Sequence, residues 1–140
     1  MDIIFRNIEG FEYIATNVEG AEVSEDIIIT NRAMDMLVKQ LNENIEKILV
    51  YDDIIFIRLC MIYAETGTKQ YSIKIDNVVS DFDKVFELKK IKIIVDMKSL
   101  FYFMGIIIDY VNDDNTEGFV FLDISDPKVI DYYKYKKEIN

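Results

Sequence analysis

The chain has 140 residues, 51% hydrophobic and 30% charged, with a formal net charge of -10 from 26 acidic and 16 basic residues. This composition builds one globular domain rather than a disordered segment, and its charge repels phosphate backbones, so the expected partner is a basic protein surface and not nucleic acid. One cysteine, Cys60, and no histidine exclude an internal disulfide, a Cys/His zinc cluster and every mechanism that needs an imidazole base.

Residues 2–8 and 11–18 alternate apolar and polar positions, each stretch followed by a Glu-Gly pair (Glu9-Gly10, Glu19-Gly20), which predicts two short strands with turns. Residues 27–29 predict a strand feeding Thr30, a good helix N-cap. Beyond it Ala33, Met34, Leu37, Val38, Leu41 and Ile45 recur at spacings of three and four. That predicts an amphipathic helix over 31–44, with Arg32, Asp35, Lys39, Gln40 and Glu43 on its wet side.

Residues 54–63 are apolar nearly throughout and predict a strand covered on both faces. Within it Cys60 reads as a small buried hydrophobe. Residues 69–76 alternate, with Tyr71, Ile73 and Ile75 facing the core and Gln70, Ser72 and Lys74 facing water. A tight polar turn over 64–68 joins the two. Residues 78–87 are acidic and aromatic and read as a connector that packs Phe82 and Phe86 inward, leading to a strand over 91–96.

Asp96 ends that strand and precedes one apolar helical turn that closes at Gly105; its carboxylate is placed to accept the exposed amides, a role Ser99 can share. A strand over 106–111, a polar turn and a strand from Phe119 follow. Asp109 reads as a turn anchor. The acids and amides from Asn112 to Glu117 read as hairpin-turn chemistry rather than a calcium loop. The lysine groups Lys89, Lys90, Lys92 and Lys134, Lys136, Lys137 read as solvated faces. Asp52, Asp53 and Arg58 interrupt the longest apolar run, and Asp2, Glu9 and Glu12 are unlike a signal or transit peptide. The expectation is a soluble chain in a reducing compartment, cytoplasmic, or an organelle matrix if a presequence has been removed.

The order Asp96, Ser99, Leu100, Gly105, then Ile108-Asp109-Tyr110, then Gly118, Phe119 and Phe121 resembles the core of the HesB/IscA family, the A-type iron-sulfur carriers. Ile28, Thr30 and Ala33 extend the resemblance upstream. It implies an α+β, β-rich fold: a HesB-like sandwich of two mixed sheets with one N-terminal amphipathic helix and a short helical turn. The domain would span 27–124, with an N-terminal extension (1–26) and a C-terminal tail (125–140).

The family's cluster ligands are one cysteine in a glycine-rich turn and two near the C-terminus. Alignment of the two strands places the first at Thr66, followed by Gly67, and no cysteine follows Pro127. Thiolates suit cluster irons and a protonated hydroxyl does not. Two copies of Cys60 supply two thiolates where a cluster takes four ligands. No residue is therefore assigned as catalytic, cofactor-binding or metal-ligating, and no intrinsic cofactor is expected; a cluster is expected only if shared with a cysteine-bearing partner. The resemblance implies a non-catalytic iron-sulfur assembly protein acting as a scaffold or heteromeric partner. Its partners would belong to the assembly machinery, as a homodimer or in a heteromer with an intact family member, and not to nucleic acid or membrane. The alternative is a degenerate domain kept purely as a structural or protein-interaction module.

Overall fold

A computed structural model describes residues 11–14, 27–48, 55–88, 91–112 and 117–123. They form β1 (Phe11–Ile14), β2 (Ile27–Thr30), α1 (Asn31–Ile48), β3 (Phe56–Tyr63), β4 (Lys69–Asp76), β5 (Asp83–Glu87), β6 (Lys92–Asp96), α2 (Met97–Phe103), β7 (Ile106–Asn112) and β8 (Glu117–Asp123). The class is α+β, the described residues forming two helices and two mixed four-stranded sheets. The strand expected over 2–8, the turn over 113–116 and the tail from 124 lie outside the described residues, as do Asp52, Asp53, Lys89 and Lys90. No helix among the described residues is long and apolar enough to cross a membrane.

The chain divides into two compact units, Met1–Asp35 with Met104–Asn140, and Met36–Phe103. The first holds the sheet β1-β2-β7-β8. Its inner strands pair in parallel, Ile28 with Ile107 and Ile29 with Ile108. β2 opens with three isoleucines and so does β7, as strands covered on both faces require, and Ile27, Ile28, Ile29 and Ile108 are buried. β8 runs antiparallel to β7 from Ile106↔Asp123 to Asn112↔Glu117.

The second unit holds the sheet β4-β3-β6-β5, with β3 and β6 parallel and both outer pairs antiparallel. Ile57, Leu59, Ile93, Ile94, Val95, Leu100 and Phe103 are buried, each such burial stabilising by about 1.5–3 kcal/mol. Three sequence expectations change here. β3 alternates instead of being covered on both faces: Ile57, Leu59 and Met61 are buried, whereas Phe56, Arg58 and Cys60 are half-buried and Ile62 is exposed. Arg58 is the reason, because its guanidinium must meet acceptors on that face. The stretch read as a connector contains a strand, β5, fully paired with β6 from Asp83↔Asp96 to Glu87↔Lys92. Phe82 does not pack inward; it is 75% exposed, its carbonyl accepting the Met97 amide at 2.9 Å while the ring points to water.

Candidate functional site

The β3–β4 hairpin carries the position where the sequence comparison seeks a ligand. All eight residues of each strand pair, from Phe56↔Asp76 to Tyr63↔Lys69, which leaves residues 64–68 as the turn. The Ala64 amide donates to the Thr68 carbonyl at 2.8 Å, and the Gly67 amide to the Ala64 carbonyl at 2.8 Å. Gly67 has φ +82°, a left-handed conformation that costs a residue with a Cβ. Thr66 and Thr68 share a hydroxyl hydrogen bond of 3.0 Å, and both are exposed.

Aromatic side chains flank this turn. The Tyr63 and Tyr102 hydroxyls lie 2.9 Å apart with their rings nearly perpendicular, and that hydrogen bond lifts the Tyr63 phenol above its usual range. The Lys69 ammonium sits 5.0 Å over the Tyr102 ring, a cation–π contact. Tyr71 donates to the Tyr102 carbonyl at 3.1 Å and meets Phe103 edge-on. The turn therefore rests on α2 through a tyrosine brace that the sequence reading did not anticipate.

Cys60 lies within the ladder, paired with Ser72, its Sγ 3.2 Å from the Ser72 Oγ. It is half-buried, not the fully buried hydrophobe expected, because it shares the face of β3 that Arg58 keeps polar. Among the described residues no three of His, Cys, Asp and Glu gather where they could hold a metal ion. These donors do not fit an iron-sulfur cluster: the turn offers a hydroxyl, and the single thiol of the chain is engaged along a strand.

The two aspartates of the family pattern take different roles. Asp96 caps α2 as expected: one carboxylate oxygen accepts the Ser99 amide at 2.8 Å and the other the Ser99 hydroxyl at 2.9 Å. Ser99 does not share the cap. Its hydroxyl oxygen accepts the buried Met61 amide at 3.1 Å, linking α2 to β3. Asp109 is not a turn anchor either. It sits inside β7, fully buried, and accepts a bidentate pair from Arg32 at 2.7 and 2.6 Å, the Thr30 hydroxyl at 2.6 Å and the Tyr110 amide at 2.8 Å. Arg32 therefore leaves the wet side assigned to it, since a carboxylate lies within its reach. Thr30 is the N-cap expected, accepting the Ala33 amide at 3.2 Å.

Arg58 organises the other polar face. It donates to Asp76 at 2.7 Å, to both oxygens of Asp83 at 2.8 Å, and to the Val78 carbonyl at 3.0 Å. Hydrogen bonding by Arg58, against the opposing effect of burial and aided by the Ser80 amide, holds the Asp83 carboxyl down at about 2. Burial raises the Asp76 carboxyl, but Arg58 and the Val78 and Asn77 amides together outweigh it and hold it low. An arginine inside an otherwise apolar strand is the sequence signal that marks this network.

Comparison with known proteins follows the same lines. The family model described as iron-sulphur cluster biosynthesis matches residues 26–125. The "Iron-binding protein IscA" of Xenorhabdus nematophila is 43% identical over 51 residues, 36% of this chain and 48% of that protein. The IscA of Proteus mirabilis is 41% identical over the same shares. The match thus spans about half the length of these relatives. The crystal structure of Escherichia coli SufA, involved in biosynthesis of iron-sulfur clusters, superposes with a TM-score of 0.51 at 16% identity, over 69% of this chain and 79% of SufA, a likeness of fold. With residues 26–125 matched to one family model, the chain belongs to the iron-sulphur cluster biosynthesis family, the HesB/IscA-like proteins that its motifs resemble.

Proposed function

We propose that this protein is a non-catalytic member of the A-type carrier class that works in iron-sulfur cluster assembly as a scaffold or heteromeric partner, with the cluster as shared cargo and not as its own resident group. Family membership supports the pathway. The observation that carries the specific role is Thr66, whose hydroxyl stands in the turn where the family's thiolate belongs and bonds to Thr68 instead. A cysteine-bearing family member would supply the thiolates, and a reducing compartment would keep them competent.

Anaerobic reconstitution with iron and sulfide, alone and with a cysteine-bearing relative, tests this by metal and sulfide analysis and visible absorption. A cluster is expected only in the mixture, and unchanged when Cys60→Ser replaces the natural chain. A stoichiometric cluster on the protein alone, lost in Cys60→Ser, would overturn the proposal. No cluster on this chain in either setting would instead leave the domain as an interaction module.

A further inference from the structure

The loop from Asn77 to Phe82 joins β4 to β5 and turns its apolar side chains outward: Val78 is 62% exposed, Val79 42% and Phe82 75%. Its backbone is nonetheless held by hydrogen bonds along its length. Asp76 accepts the Asn77 and Val78 amides, Arg58 donates to the Val78 carbonyl, Asp83 accepts the Ser80 amide, and the Ser80 hydroxyl accepts the Phe82 amide. α2 meets the end of this loop where the Met97 amide donates to the Phe82 carbonyl. Met97 and Phe101, four residues apart and so on one face of α2, are 42% and 59% exposed. Two phenylalanines and a methionine thus bring about 300 Å² of apolar surface to one corner of the second unit, the size of patches that mark binding sites.

We infer that Phe82, Met97 and Phe101 form a docking surface for an amphipathic helix of another protein, apolar on the face that meets them and basic on its flanks. The hydrogen bonds from Arg58, Asp76 and Asp83 order the loop before anything binds, so association spends little on ordering it. Met97 and Phe101 make a ridge of the i, i+4 kind, and a partner helix with apolar residues at three- and four-residue spacing seats against such a ridge. Charge selects the flanks. Asp81, beside Phe82, is exposed and has no ion-pair partner among the described residues, whereas Asp83 is spent on Arg58. The field of a chain with net charge -10 draws a cationic partner to this corner. The same charge repels an anionic membrane, and Lys98, the only cation on α2, is no substitute for the basic cluster that lipid headgroups require. A second copy of this chain would bring Asp81 and the same negative field with it.

The inference goes beyond the function proposed above and does not depend on it. The test is a titration of the full chain, followed by amide NMR shifts, with a synthetic helix of about five turns that carries leucines at three- and four-residue spacing and lysines between them. Two controls are a scrambled peptide of the same composition and one with glutamate for every lysine. The basic helix is expected to bind in the micromolar range and to shift the amides of Phe82, Met97 and Phe101. Phe82→Ser and Phe101→Ser should each weaken it about tenfold or more and leave thermal unfolding nearly unchanged, since both rings stand largely in water. No binding of the basic helix would overturn the inference. So would equal binding of either control peptide, or binding indifferent to both serine variants. Phosphatidylserine vesicles that hold the chain through Phe82, or self-association that Phe82→Ser abolishes, would equally overturn it by naming another occupant.

Discussion

Arg32 grips both carboxylate oxygens of Asp109 across 77 positions of sequence, and this pair fixes the start of α1 to the middle of β7. The Asp109 side chain is wholly buried while that of Arg32 is 34% exposed, so the carboxylate is the partner that most needs the bond. Arg32→Ala strands a buried charge and is expected to cost about 3–5 kcal/mol in urea unfolding. Asp109→Asn keeps an acceptor for Thr30 and Tyr110 and should cost less. Equal, sub-kilocalorie effects for both would show that the pair is ornamental.

Stability should fall with acid through the Arg58 network. Asp83 has its folded value depressed from the ordinary 3.8 to about 2, so its contribution is complete above about pH 4 and is lost as pH falls from 4 towards 2. The loss is about 1–2 kcal/mol, less than the full shift corresponds to because solvent reaches Arg58. Unfolding measured at intervals between pH 5 and 2 should show it, and the same series on Asp83→Asn should be flatter. A wild-type curve no steeper than that of the variant would refute the assignment.

Ser99→Ala removes the acceptor of the Met61 amide and the hydroxyl that donates to Asp96, while the Ser99 amide still meets the Asp96 cap. A buried donor left without a partner costs about 1–3 kcal/mol, and the amide of Met61 should exchange with solvent faster than its neighbours. Ser99→Thr keeps the hydroxyl and is the informative control; if it too loses protection at Met61, packing rather than the hydrogen bond is responsible.

Two glycines separate conformational cost from crowding. At Gly67 an added Cβ meets nothing within 4 Å, so Gly67→Ala should cost only the left-handed penalty of about 1–2 kcal/mol. Gly105, at φ +81° after α2, is buried, and Gly105→Ala is expected to cost more than its exposed counterpart. Thermal unfolding of both variants checks the order, and a reversal would mean that the turn at Gly67 is held more tightly than its hydrogen bonds indicate.

Periodicity and turn chemistry locate β4, α1, β6, α2, β7 and β8 closely in the sequence, because each carries an apolar stripe or a cap that acts locally. β5 escapes, since Lys84 and Val85 are both exposed and no alternation marks an edge strand that buries so little. Arg32 and Asp109 are each misplaced by a reading that sees neighbours in sequence only; a partner 77 residues distant leaves no periodic trace. Cys60 looks buried because its neighbours are apolar, yet Arg58, two positions earlier on the same face, opens that face to polar groups. For the candidate site the turn itself was legible, Thr66 and Gly67 included. The Tyr63–Tyr102 brace was not, for it depends on α2 returning to the hairpin's end.

The parallel pairing of β2 with β7 also sets a sequence of events. The strands of the second unit, residues 56–96, all lie between those two partners in the chain, and long loops must close before distant pairs are rewarded. A nascent chain can therefore assemble the β4-β3-β6-β5 sheet while β2 still waits for its neighbour to be synthesised. Pulse-labelled hydrogen exchange should find Leu59 and Ser72 protected before Ile28 and Ile107. The sheet β1-β2-β7-β8 is therefore expected to close last, so that synthesis itself would separate the formation of the two sheets.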